Sequence, residues 1–414
     1  MPKGHPDALR FTGYIQITDM KITVGVLFGG RSVENEISVV TAIQTMEAMD
    51  RQKYNVIPIY IAKTGKWYSG DALFNLGNYK DMKSLFTKAK EVFMKPVYGD
   101  FNLYLNGKGL FGCRSIAKLD VILPTLHGTN CEDGTLQGVL ASIGIPFVGC
   151  DVLASANGMD KITMKMILQS SGIPVIDYYW FNDKNWYQGR DSVIDAMEKS
   201  LSYPVIVKPA NSGSSVGIRP AHNREEFIEA VDNACSFTTR IIVEKLVEKL
   251  KEVNCSVLGN YEDCEASVCE VPQRSGEILT YSDKYMNPGS KSKGMQSTKR
   301  ELPAKISEAE TALIKDLARK TFRVLSCDGV ARIDFMKDEE DNRVYVNEIN
   351  TIPGSLSNYL WDYDGLPFPA MIDKLLDLAF ARSREASFKV TDFGGNIFQS
   401  MKTGGKLSGG KFNK

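Results

Sequence analysis

The segment that most restricts how this chain can fold is residues 330–354, VARIDFMKDEEDNRVYVNEINTIPG. Two apolar runs, 330–335 and 343–346, flank an acidic turn running from Lys337 to Asn342, the pattern of a β-hairpin. Side chains two apart on a strand share a face, so Glu348 and Asn350 point the same way and Asp334 reaches them from the neighbouring strand. Two carboxylates and an amide suit Mg²⁺, which takes its remaining ligands from water and phosphate. The competing reading is that Asp334 and Glu348 are ordinary exposed hairpin charges. Arg332, two residues from Asp334 and on its face, weighs against that, because a guanidinium beside a metal implies an anion between them.

Other segments predict open α/β units around this hairpin. From Met20 a strand-like run ends in Gly29-Gly30, a helix carrying Val39, Ile43 and Met46 follows, and 56–61 supplies a second strand. Glu34 and Glu36 fall at the helix start, as favourable dipole partners or as substrate contacts. Residues 63–117 carry no evident chemistry; a hairpin near 63–69 and a Lys-rich, helical insertion over 80–96 are expected. A buried strand from Val121 leads to a loop with His127 and Gly128, a candidate ligand contact at a strand end, and then a helix opened by Glu132 and Asp133.

In YPVIVKPANSGSSVGI a strand ends at Lys208, and the small-residue loop after it offers backbone N–H groups and the hydroxyls of Ser214 and Ser215 to phosphate oxygens. It is no Walker A loop, since no GK[ST] closes it. The strand over 241–247 offers, from Glu244 to Val247, the edge hydrogen bonds an adenine needs, with Glu252 near a ribose. Residues 276–285 read as a further strand and 286–302 as a lid. Helices are expected over 308–325 and 368–381, and the Gly/Lys-rich end reads as a disordered tail.

A length of 414 residues implies two or three domains. Lys+Arg and Asp+Glu are both 50, so net charge offers nothing to nucleic acid or an anionic membrane. The eight cysteines lack CxxC or Cys/His spacing, which excludes an evident zinc or redox site and fits free thiols of a cytoplasmic protein. Neither a membrane span nor a signal-peptide core is visible.

HGTNCEDGTLQG, GMDKITMK, VIVKPANSGSSVGI, SDKY, GVARIDF and NEINTIPG occur in this order, and together they resemble the D-alanine-D-alanine ligases of the ATP-grasp superfamily over about residues 20–385. The resemblance implies an α/β (α+β) protein of three domains. These are a Rossmann-like parallel-sheet domain over 20–153, a central ATP-grasp subdomain over 154–250 and a C-terminal one over 251–385, with 1–19 and 386–414 outside the fold. It implies ATP as co-substrate, with phosphates on Lys161 and Lys208, adenine on the backbone of Lys245 and Val247, and ribose on Glu252. Asp334, Glu348 and Asn350 would hold two Mg²⁺ ions, which Mn²⁺ could replace. Arg332 and the Gly354 N–H would form the oxyanion site. Glu34 would take the ammonium of the first amino acid in a group with Ser214 and Tyr285, and Lys284 would reach the transferred phosphate. The implied protein is a cytoplasmic homodimer that acts on small amino acids for peptidoglycan precursor synthesis.

Four positions depart from the family pattern. Cys131 replaces a glycine, residues 248–251 replace a shorter turn, the lid is distinctive, and Tyr359 in GSLSNYLW stands where the family's serine holds the second substrate's carboxylate. The ring either bends away and leaves that carboxylate to Ser355 or Ser357, or the pocket takes another acceptor, an amino acid or hydroxy acid. Tyr285 resembles the D-alanine-specific branch more than the depsipeptide-forming ligases, which carry histidine in the lid. A non-catalytic nucleotide-binding regulator is the remaining alternative.

Overall fold

The computed structural model of the protein describes residues 21–107, 113–213, 216–272 and 300–391. The expectations for Ser214, Ser215, Lys284, Tyr285, the strand over 276–285, residues 1–19 and most of the lid lie outside them.

The chain opens β1 (Ile22–Gly29), α1 (Asn35–Ala48), β2 (Tyr54–Ile61), β3 (Trp67–Ser69), α2 (Met82–Lys88), β4 (Lys90–Met94), β5 (Asn102–Leu105), β6 (Arg114–Lys118), β7 (Val121–Pro124) and α3 (Thr135–Ile143). Their strands form one sheet in the order β6-β5-β4-β3-β2-β1-β7. Only β2, β1 and β7 run parallel; β3 to β6 extend the sheet as an antiparallel meander. The helix expected over 80–96 is therefore short: it stops at Lys88, and Val92 is buried in a strand. These strands are three to five residues long, too short for a clear alternation to show in the sequence.

A helical link, α4 (Val152–Met159) and α5 (Lys161–Ser170), leads to β8 (Tyr178–Asn182), α6 (Asp183–Ser200), β9 (Val205–Pro209), β10 (Arg219–Ala221), α7 (Arg224–Ala234) and β11 (Arg240–Lys245). Asp151 and Asp160 cap α4 and α5 through their side chains. The four strands make a second, antiparallel sheet in the order β10-β9-β11-β8.

The rest is β12 (Leu250–Gly259), β13 (Cys264–Pro272), β14 (Arg300–Glu301), α8 (Glu308–Val324), β15 (Gly329–Asp338), β16 (Arg343–Asn350), α9 (Asn358–Tyr363) and α10 (Phe368–Ser387). A third antiparallel sheet runs β14-β13-β12-β15-β16. Its faces differ because its strands alternate: Val253, Cys255, Val257, Ile333 and Phe335 pack in one core with Ile314, Leu317, Ala318 and Phe322 of α8, while Glu252, Asn254, Arg332 and Asp334 turn the other way and line a cleft. Ser307 starts α8 with a capping box to Glu310. The last helix ends beyond the expected boundary, at Ser387, and its Met371, Ile372, Leu375 and Leu376 share a core with β1, β2 and α1.

Candidate active site

The cleft lies between the second and third sheets, with the loops after β1 and β7 at one end. On its floor Asp334 stands directly opposite Glu348, and Arg332 opposite Asn350. The second strand of the hairpin reaches Asn350, four residues past the apolar run, so both residues lie within it. A register shift between Asp334 and Phe335 leaves Asn347 as an extra residue, a β-bulge that puts Asn347 and Glu348 both on the cleft.

Two polar relations here were not legible from spacing. Arg332 gives Nε to Oδ1 of Asp334 at 2.6 Å and a second nitrogen to Oδ2 at 2.7 Å, a bidentate pair, so guanidinium and carboxylate meet without an anion between them. Burial opposes the charge on Arg332, but Asp334, with Tyr359 and Glu270, outweighs it and holds the guanidinium well above its usual range. Asn350 donates to the same Oδ2 at 3.1 Å. This set of two carboxylates and an amide fits Mg²⁺ held jointly with phosphate. Among the described residues no group of three or more Asp, Glu, His or Cys side chains forms a cage by itself.

The nucleotide side is lined by lysines. Lys161, the first residue of α5, is buried and lies 3.3 Å from Oε2 of Glu348 and 2.9 Å from the Ser212 carbonyl. Lys208 on β9 donates to Oε2 of Glu244 at 2.7 Å and to Asn347 at 3.3 Å. The Glu244 carboxylate is buried between Lys208 and Lys165, so the edge expected from Glu244 to Val247 is one of backbone groups and does not involve this side chain. Lys245, Val247 and Glu252 line the cleft beside it. The Lys245 N–H already goes to the Asp177 carbonyl at 3.1 Å, so an adenine could use only its carbonyl.

At the opposite end Glu34 is buried where two glycines meet. A Cβ on Gly128, whose φ is +79°, would come within 2.6 Å of its Oε2, and one on Gly213 within 2.8 Å. No other residue type leaves room for the carboxylate there. Glu132 was read as a helix opener, but α3 starts at Thr135 after Gly134. Its carboxylate accepts the Gly128 N–H at 2.7 Å and the Ile352 N–H at 3.0 Å, joining the loop after β7 to the loop after β16. Burial, then the nearby Glu34, push it up to about 8 against those two bonds.

His127 lines the same end, yet both ring nitrogens serve the protein: Nδ1 lies 2.8 Å from the Ile352 carbonyl and Nε2 2.9 Å from the Thr41 hydroxyl. The Ile352 carbonyl can only accept, so Nδ1 of the neutral ring carries the proton and the Thr41 hydroxyl donates to Nε2 while accepting the Ser355 N–H at 3.1 Å. Burial lowers the imidazole to about 4, and it stays neutral. His127 thus lines the cleft with both ring nitrogens already bonded within the protein.

Tyr359 is the largest correction. Its ring does not line the cleft: the hydroxyl donates to Glu270 at 2.7 Å, and the Arg300 guanidinium sits 3.9 Å from the ring centroid. Glu270 also accepts from Arg300 at 3.0 Å and from Asn254 at 3.2 Å. Burial, then Glu270, push the phenol above its usual range. Neither serine takes over, since Ser355 donates to Gln44 at 2.7 Å, Ser357 is fully buried, and of residues 354–361 only Gly354 lines the cleft. Glu270 had no signal in sequence, because its partners lie on three other elements.

Two antiparallel sheets closing on a cleft that carries lysines on one wall and carboxylates on the other define an ATP-grasp enzyme. The structural likenesses agree: the D-alanine-D-alanine ligase from Coxiella burnetii aligns with a TM-score of 0.72 and 30% identity over 89% of this chain and 96% of its own. VanG D-Ala:D-Ser ligase from Enterococcus faecalis aligns at 0.74 and 30% over 87% and 100%. The family models "D-ala D-ala ligase N-terminus" and "D-ala D-ala ligase C-terminus" match residues 23–150 and 167–377. D-alanine–D-alanine ligase of Thermosipho africanus is 39% identical over 91% of this chain and 98% of its own length, and that of Natranaerobius thermophilus 40% over 90% and 99%. The chain belongs to the D-alanine-D-alanine ligase family.

Proposed function

We propose that this protein joins two D-alanine molecules at the expense of ATP, giving D-alanyl-D-alanine, ADP and phosphate for peptidoglycan precursor synthesis. The observation that carries the reading is the convergence of Lys161, Lys208, Arg332, Asp334, Glu348 and Asn350 on one cleft, in a chain whose relatives bear that activity. Lys161 and Lys208 bind the nucleotide phosphates, the backbone from Glu244 to Val247 the adenine, and Glu252 the ribose. Glu34 orients the ammonium of the first D-alanine, whose carboxylate takes the γ-phosphoryl group. When the second amine attacks that acyl phosphate, Arg332 and the Gly354 N–H stabilise the oxyanion. Asp334, Glu348 and Asn350 would hold two Mg²⁺ ions, which neutralise charge on the transferred phosphoryl group.

The displacement of Tyr359 favours a second reading at the acceptor alone: the chemistry stays and another amino acid or a hydroxy acid attacks. Phosphate release from ATP over a panel of D- and L-amino acids and hydroxy acids, singly and in pairs, separates the two. Release with D-alanine alone supports the first reading, and release only with mixed pairs the second. Among the described residues no helix is long and apolar enough to cross a membrane. A cytoplasmic homodimer is part of the proposal.

A further inference from the structure

Lys165 has no place in the chemistry above. It lies one turn after Lys161 on α5 with no accessible surface. Its Nζ is 3.2 Å from Oε1 of Glu244, whose other oxygen receives Lys208 at 2.7 Å. One buried carboxylate is therefore shared by two lysines, of which only Lys208 reaches the cleft. A fully buried ammonium is costly and is kept where its charge is used.

The charge count suggests the use. Lys208 and Glu244 alone are a neutral pair, and a neutral pair attracts a polyphosphate weakly. With Lys165 behind it the group carries one net positive charge, in a buried setting where charges act strongly on one another. We infer that Lys165 is a positioning residue for nucleotide binding: by neutralising Glu244 from behind, it leaves the charge of Lys208 available to the phosphates. This rests on the nucleotide site proposed above. Burial, with Lys208 beside it, holds the Lys165 ammonium below its usual range against the pull of Glu244. Burial alone would raise Glu244, but the two lysines together keep it below its usual range.

The test measures binding of MgADP to the full chain by calorimetry, without turnover. Lys165→Met, close in shape and uncharged, should weaken MgADP about tenfold. Adding Glu244→Gln to Lys165→Met removes one charge of each sign and should return affinity to within about threefold of wild type. A purely structural Lys165 gives the opposite result, with the double variant binding no better than Lys165→Met, and that result overturns the proposal. So does unchanged binding by Lys165→Met. Lys208→Met separates the two levels: if it does not weaken MgADP, the nucleotide site is misplaced and the inference falls with it. If Lys208→Met weakens binding and Lys165→Met does not, only the inference falls. Should Lys165→Met not fold, recovery of a folded, MgADP-binding protein in the Lys165→Met/Glu244→Gln pair supports charge balance. A folded pair that does not bind MgADP refutes it.

Discussion

The two ends of the cleft use their polar side chains in opposite ways. At the nucleotide end Lys161, Lys208, Asn347 and Glu348 all line the open space, and their mutual contacts leave them on its surface. At the acceptor end the side chains that the sequence singled out turn back into the protein: His127 to Thr41 and Ile352, Tyr359 to Glu270, Ser355 to Gln44. A sequence position thus gives an address on the backbone, while the direction of the side chain depends on partners from distant segments. The nucleotide end binds through several side chains, whereas the other end keeps Glu34 on the cleft and otherwise presents backbone such as that of Gly354.

The largest effect should come from the floor that both ends share. Glu348→Gln removes one of two carboxylates facing each other across the hairpin, and turnover should fall at least about a thousandfold, ~4 kcal/mol in barrier, with the melting temperature little changed. Phosphate release within about tenfold of wild type, ~1.4 kcal/mol, would remove Glu348 from the metal site and with it the contrast between the ends.

Next in size is a pH effect at His127. Its imidazole is lowered to about 4 by burial, so the unfolded chain takes up its proton first as pH falls. The neutral ring contributes stability in full above about pH 6.5 and loses it as pH drops through 4. Between pH 7 and 4.5 the wild type should lose roughly 2–3 kcal/mol that His127→Gln does not lose, read by urea melts at both pH values. Parallel losses in the two proteins would mean that the ring is accessible to protons and free for substrate.

How much was legible follows the same divide. The hairpin and its row of Asp334, Glu348 and Asn350 could be read because period-two alternation fixes which side chains share a face, and a short turn fixes the partner strand. Lys208 was legible because it ends an apolar strand before a small-residue loop. Glu270 was not: in SVCEVP it is a lone acid, and its meaning comes from Asn254 across the sheet, Arg300 on β14 and Tyr359 on α9. Glu132 was assigned to a helix start because acids favour that position, yet Gly134 delays the helix and frees the carboxylate to hold two loops. The hairpin near 63–69 is there as β2 and β3, but β4 to β6 are each too short to show a period in the sequence.

Tyr359→Phe tests the buried side of the acceptor end with a smaller effect. It removes the donor to Glu270 and leaves the ring under Arg300, so stability should fall by about 1–3 kcal/mol. The KM values for ATP and the first D-alanine should hold. A shift in acceptor KM with unchanged stability would put the phenol back in the pocket.

The smallest effect is expected at Ser357, and it sharpens the contrast most. Ser355, Leu356 and Ser357 all have φ between 51° and 53°, a left-handed run that carries the chain from Gly354 into α9. Ser357 is fully buried there, and among the described residues its hydroxyl has no hydrogen-bond partner. If it stood in for the family's serine, it would face the cleft and gain its partner from the acceptor's carboxylate. Instead it is walled off, and a hydroxyl that has lost water without finding a partner contributes nothing to stability. Ser357→Ala keeps the Cβ and whatever strain the left-handed backbone imposes, so only the hydroxyl is tested. Stability should stay level or rise by less than about 1 kcal/mol, and the acceptor KM should remain within about twofold, ~0.4 kcal/mol. A tenfold rise in acceptor KM with ATP and first-substrate constants unchanged would show that the hydroxyl reaches the second substrate during turnover. The loop after Gly354 would then bind the acceptor with a side chain, and the difference between the two ends would be one of state and not of construction.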